Sequence, residues 1–120
     1  MNKDNIKHEW LITGMSFSSD DLKHMKKITD LHYSFYSKYE EEGFDVYWES
    51  YISGAISVPF TETGFQDWHT LSREQVVDWV KQLLGETAQE VIKQIAEQTI
   101  QSKYNVDAHR QEYTFLPWDQ

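Results

Sequence analysis

The sequence predicts an α+β domain, a three-stranded antiparallel sheet arranged as a meander and covered by two consecutive C-terminal helices. Three observations carry that expectation. Side chains alternate with period two from Ile28 to Val58; Glu41-Glu42-Gly43 breaks the alternation with turn chemistry; and apolar residues then recur every third or fourth position from Val76 to Ile100. A chain of 120 residues suits one core rather than two. The expected layout is a single domain over 1–120, with the sheet at about 7–58, helices at about 73–84 and 88–103, and a docking tail over 104–120.

In Lys7 to Met15, Trp10 and Ile12 alternate with polar or smaller neighbours, which reads as an edge strand. From Ser16 to Lys27 the pattern thins. Ser18-Ser19-Asp20-Asp21 offers a cap for a helix starting near Leu22, so a loop or short helix is expected there. Between Ile28 and Tyr39, Leu31, Tyr33, Phe35, Ser37 and Tyr39 share one face; His32, Ser34, Tyr36 and Lys38 share the other. A second alternating run from Asp45 places Val46, Trp48, Ser50, Ile52, Gly54, Ile56 and Val58 inward, and Tyr47, Glu49, Tyr51, Ser53 and Ala55 outward. Gly54 marks a bulge or a close approach, and Pro59 ends the strand because it cannot donate to a ladder.

Phe60 to His69 has no period and reads as a crossing loop. Ser72 with Gln75 then forms a capping box, and Leu71 with Val76 a hydrophobic staple, so a helix starts at Arg73. Its stripe is Val76, Val77, Val80, Leu83 and Leu84 with Trp79 at the border, and Gly85 is placed to end it. A second box, Thr87 with Glu90, opens a helix whose expected inward face is Val91, Ile92, Ile95, Thr99 and Ile100.

Composition narrows function by exclusion. The chain has no cysteine, which removes thiolate metal sites, cysteine nucleophiles and disulfides. A net charge of -9 disfavours direct nucleic-acid binding, because that affinity comes from clustered Lys and Arg. The imbalance is even, with ten acids and six bases in residues 1–60 and ten and five in 61–120. The start is polar and no apolar run is long enough to span a bilayer, so neither a signal peptide nor membrane contact is expected.

No catalytic constellation stands out. The five histidines, His8, His24, His32, His69 and His109, lack ligand spacing, so no metal and no cofactor is expected. The serines lack a nucleophile elbow, and Glu49 with Glu62 or Asp67 suits a solvated face as well as acid–base work. Aromatic content is the more unusual figure, with five Trp, seven Tyr and six Phe. Trp10, Trp48 and Trp79 are expected in the core. Tyr36, Tyr47 and Tyr51 fall on the opposite sheet face, where a row of tyrosines serves either as cross-strand pairs or as a partner-binding surface. The apolar cluster Tyr113, Phe115, Leu116, Pro117 and Trp118 must dock, either on its own core or on a neighbour.

Three landmarks in order, Trp10-Leu11-Ile12-Thr13-Gly14-Met15, the run Phe65 to Val80 containing Leu71-Ser72-Arg73-Glu74-Gln75-Val76-Val77-Asp78-Trp79-Val80, and Leu116-Pro117-Trp118, resemble a family of small uncharacterised tailed-bacteriophage proteins over nearly the full chain. The family's usual Gly and Asp turn is replaced here by Glu40-Glu41-Glu42-Gly43, and Asn105 to Glu112 departs from its short linker. The resemblance implies a fold and a phage setting, and it carries no activity. The expected role is therefore non-enzymatic: a virion-associated structural or assembly component, assembled in the host cytoplasm, that contacts other virion proteins and further copies of itself. The competing expectation is an acidic intracellular inhibitor of a host defence or takeover target.

Overall fold

The middle strand is paired on both sides, and the architecture is built outward from it. The computed structural model describes residues 1–20, 25–58 and 71–108, without the side chains of 17–20 and 25–27. Its strands β1 (Lys7–Asp20), β2 (Met25–Glu40) and β3 (Tyr47–Ser57) form one antiparallel sheet in the order β1-β2-β3. A helical element, α1 (Arg73–Ala108), covers one face. The protein is thus α+β, with a three-stranded antiparallel meander as expected.

Every second residue of β2 from Leu31 to Tyr39 is buried beneath α1, namely Leu31, Tyr33, Phe35, Ser37 and Tyr39. On β3, Trp48, Ser50 and Val58 are buried and Ile52, Gly54 and Ile56 half-buried, whereas Tyr47, Tyr51, Ser53 and Ala55 are exposed. The parity expected for both strands therefore holds. Val46, expected inward, is exposed because β3 begins only at Tyr47, after a turn in which Gly43 takes φ 93° and Phe44 N donates to Glu41 O at 3.3 Å.

Ser16 to Lys27 is not a loop or short helix in its described parts. Residues 16–20 continue β1 and 25–27 open β2, paired from Ser16↔Asp30 to Asp20↔Met25; the helix start near Leu22 lies outside the described residues. Cross-strand pairing overrides the local capping preference of Ser18 to Asp21. Two irregularities explain why alternation fades here. Thr13 is inserted between Ile12↔Tyr33 and Gly14↔His32, and Thr29 between Ser16↔Asp30 and Phe17↔Ile28. Each bulge flips the parity, so that Met15 joins the core after Ile12, and Ile28 is buried three positions from Leu31.

Gly54 is a close approach rather than a bulge, because the β2–β3 register runs unbroken through Tyr33↔Gly54. The Tyr33 ring lies across it: a Cβ at Gly54 would stand 2.6 Å from the Tyr33 hydroxyl and 2.8 Å from Cζ.

The capping box forms as expected. Ser72 N donates to Gln75 Oε1 at 2.8 Å and Gln75 N donates to Ser72 Oγ at 3.2 Å, while Leu71 packs on the cluster that holds Val76. Val76 and Val80 are buried, with Trp79, Leu83 and Leu84 packed beside them. The two expected helices are one element, kinked at Gly85 (φ 82°, ψ 165°). No loop intervenes, since helix resumes at once, and the Gln89 side-chain amide donates across the kink to Lys81 O at 2.8 Å. Past the kink the inward line is half-buried Ile92 with buried Ala96 and Ile100; Val91 and Ile95, expected inward, are exposed. The kink re-aims the stripe.

The core has two apolar clusters. One joins Ile28, Leu31, Tyr33 and Val58 to Val76 and Val80; the other joins Ile6, Tyr39 and Trp48 to Ile100 and Tyr104. Leu31, Val80 and Ile100 are completely buried, each contributing about 1.5–3 kcal/mol. Tyr104 to Ala108 belongs to α1 and not to a tail. The reason is packing: the Tyr104 ring meets Trp48 edge-on at 5.0 Å, and Trp48 Nε1 donates to Asp107 Oδ2 at 2.6 Å. The crossing loop Phe60 to His69 and the cluster Tyr113 to Trp118 lie outside the described residues.

Gly54→Ala is expected to destabilise the protein by about 1–3 kcal/mol in urea titrations, because the buried Tyr33 ring has nowhere to retreat. In a Tyr33→Ala background the same methyl group should cost far less, and equal costs in both backgrounds would remove Tyr33 from the explanation.

Candidate functional site

The face of the sheet turned away from α1 is where the register gathers exposed aromatic side chains. Tyr36 of β2 stands directly opposite Tyr51 of β3, with ring centroids 4.7 Å apart and planes 34° from parallel. Tyr51 is 60% exposed. Tyr36 donates to Glu49 Oε2 at 2.9 Å; loss of water contact, with that hydrogen bond and the neighbouring carboxylate charge, pushes its pKa up to about 12. At neutral pH the phenol is therefore a fixed donor and not a base. Tyr47 opposes Glu40, and the Lys38 ammonium sits 4.3 Å from the centre of its ring while pairing with Glu40 at 2.7 Å. Of the expected site residues, Tyr36, Tyr47 and Tyr51 thus share one face.

Beyond the tyrosines this face is small and polar. Ser53 donates to Ser34 Oγ at 3.2 Å, and His32 shares a 2.9 Å hydrogen bond with Ser16 Oγ in the stretch between the two bulges. Both sheet edges are occupied in part by α1: Arg73 reaches Glu9 and the Trp10 carbonyl of β1, and Lys103 Nζ donates to Glu49 O of β3 at 2.8 Å. Those cations cover edge carbonyls that a foreign strand would otherwise use. The remaining expected binding residues, Tyr113, Phe115, Leu116, Pro117 and Trp118, are outside the described part.

Beneath α1 lies a polar layer that sequence patterning did not reveal. His8, Ser37 and Ser50 stand in one row across the three strands. His8 Nδ1 is 2.6 Å from Ser37 Oγ, its Nε2 is 3.6 Å from Glu97 of α1, and its ring stacks on Phe35 at 5.1 Å. Serine, histidine and carboxylate in this order look like a hydrolytic triad, but Ser37 is completely buried and no substrate can reach it. The layer ties β1, β2 and α1 together instead. Glu41 does the same at the other end, accepting from Tyr39 Oη at 3.1 Å and Tyr104 Oη at 2.7 Å; the acidic turn holds a clamp and not merely solvated charge.

Above Trp10 and Phe35, beside residues 86–94 of α1, the structure leaves a groove of about 680 Å³ whose other walls include Glu86, Glu90, Val91 and Lys93. Among the described residues no group of three or more His, Asp or Glu is placed to hold a metal ion, and no helix is long and apolar enough to cross a membrane. His24, His69, His109, Glu62 and Asp67 fall outside the described side chains.

Residues 5–118 match the family described as Domain of unknown function (DUF7936). The chain belongs to this family. The match spans all three strands and α1 and not one motif alone. No curated protein and no solved structure matches the chain.

His8 has its pKa lowered from 6.5, chiefly by burial and further by Lys93, with Glu97 opposing. The folded state therefore favours neutral His8, and this stabilisation is present above pH 6.5 and lost as pH falls towards the lowered value. Denaturant midpoints are expected to drop between pH 7.5 and 5, and His8→Gln should flatten that slope; an unchanged slope in the variant would place the dependence elsewhere.

Proposed function

We propose that this protein is a non-enzymatic bacteriophage component, virion-associated and structural or assembly-related, that works by protein–protein contact through the outer sheet face. The carrying observation is the exposed tyrosine face: Tyr51 packs against Tyr36 in a tilted pair, and Tyr47 lies on the same face of β3, 53% exposed. Rigid, amphipathic rings on a flat sheet supply contact area at little entropic cost, which is why they dominate protein interfaces. Cross-strand contacts use only part of each ring, which leaves contact area for a partner to cover.

The phage setting is drawn from the ordered landmarks of the sequence; of these, Trp10, Ile12 and Met15 pack against the first cluster of the core and Leu71 to Val80 contributes Val76 and Val80 to it. Virion proteins and further copies of the chain are the proposed partners, with no cofactor, metal, nucleic acid or membrane involved. The second reading, an inhibitor of a host defence or takeover target, draws on the net charge of -9. It is the weaker one, because the acids are spread along both halves of the chain rather than gathered as a phosphate mimic would require.

Mass spectrometry of purified particles tests the proposal: stoichiometric copies are expected, and complete absence from mature virions, with recovery of one host nuclease or polymerase from infected cells, would overturn it. The paired change Tyr47→Ser and Tyr51→Ser should leave folding stability within about 1 kcal/mol, since it removes only exposed cross-strand contacts. It should nonetheless reduce co-purification with particles at least tenfold, the loss expected for interface anchors.

A further inference from the structure

The groove of about 680 Å³ beside residues 86–94 lies on the α1 side of the sheet, away from the tyrosine face, and its floor and wall differ in chemistry. The floor is aromatic: Trp10 is half-buried and meets Phe35 edge-on at 4.7 Å, while His8 stacks on Phe35 at 5.1 Å. The wall is acidic. Glu86, Glu90 and Gln94 recur every fourth residue, so they stand on one ridge of α1 past the kink at Gly85, and all three are exposed. Among the described residues neither Glu86 nor Glu90 has an ion-pair partner. Lys93 is the one cation in the described lining, and it lies near enough to His8 to lower that ring's pKa. Helix rise sets Glu86 and Glu90 about 6 Å apart along the axis.

We infer that this groove docks an extended basic segment of a different protein, one that carries arginine or lysine at alternate positions. Alternate side chains of an extended chain point the same way and stand about 6.7 Å apart, which matches the rise between Glu86 and Glu90. Arginine suits both surfaces at once, because its planar guanidinium pairs with a carboxylate and stacks on an indole. An apolar segment would cover the floor but leave two carboxylates buried against it without partners, which is costly. A second copy of this chain does not qualify. No two of its eleven lysines and arginines are two residues apart, and the same fact excludes every segment of the chain itself. The net charge of -9 adds a long-range attraction for a basic partner. This inference stands apart from what the outer sheet face binds, since the groove and the tyrosines lie on opposite faces.

Two capped peptides of equal charge, Ser-Arg-Ser-Arg-Ser and Ser-Arg-Arg-Ser-Ser, test it when titrated into the isotope-labelled full chain and followed by NMR. Salt at about 150 mM screens attraction that does not depend on contact. The Trp10 indole N–H resonance should shift with the alternating peptide, and the contiguous one should bind about threefold more weakly. Glu86→Gln with Glu90→Gln should weaken the alternating peptide about tenfold, as two lost charge contacts would. Glu74→Gln with Asp78→Gln makes the same charge change at the same spacing on the first half of α1, and should leave affinity within about twofold. All four positions are exposed, so circular dichroism should be unchanged in both variants. Equal affinity for the two peptides, or equal weakening by the two variant pairs, would reduce the binding to general charge attraction and overturn the inference. A Trp10 resonance that stays in place at millimolar peptide would overturn it as well.

Discussion

The arrangement depends on β2 being paired on both sides while one of its faces is buried. A strand with two neighbours has every backbone donor and acceptor engaged, and its side chains then have only two directions to take. Leu31, Tyr33, Phe35, Ser37 and Tyr39 go under α1, so His32, Tyr36 and Lys38 must face away from it. A slip of one residue would exchange the two sets, burying lysine and exposing leucine. The aromatic outer face is thus a consequence of the same register that builds the core.

What α1 adds is a lid with two anchoring points and a polar middle. Its first half closes over Leu31 and Val58, its second over Tyr39 and Trp48, and the kink at Gly85 lets one element meet both. Between them the row His8, Ser37 and Ser50 replaces apolar bulk with hydrogen bonds, and Glu97 continues the network into the helix. Among the described residues every buried side-chain polar atom has a partner, so this layer specifies a position for α1 without leaving an uncompensated group.

Much of this was legible in the residues. Parity in β2 and β3 followed from alternation alone, and the Arg73 start followed from Ser72 and Gln75, whose reciprocal hydrogen bonds need only local sequence. The outward tyrosines came with the parity. Where the reading failed, a distant contact outweighed a local one. Ser18 to Asp21 resembles a helix cap, yet the backbone of Ser18 to Asp20 pairs with β2; the bulges at Thr13 and Thr29 hide how far β1 and β2 extend, because a bulge erases the period that announces a strand. Val91 and Ile95 fit the helical stripe only if the helix is straight, and Gly85 turns it. The His8–Ser37 and Tyr104–Glu41 contacts join residues 29 and 63 positions apart, and single-sequence patterning has no signal at such separations.

The central claim is best tested by hydrogen exchange of the β2 backbone amides, resolved by residue, under native conditions. With neighbours on both sides and α1 above, the amides from Leu31 to Tyr39 should be among the slowest in the protein, exchanging only by global opening. Fast exchange along β2, with protection confined to α1, would contradict the account.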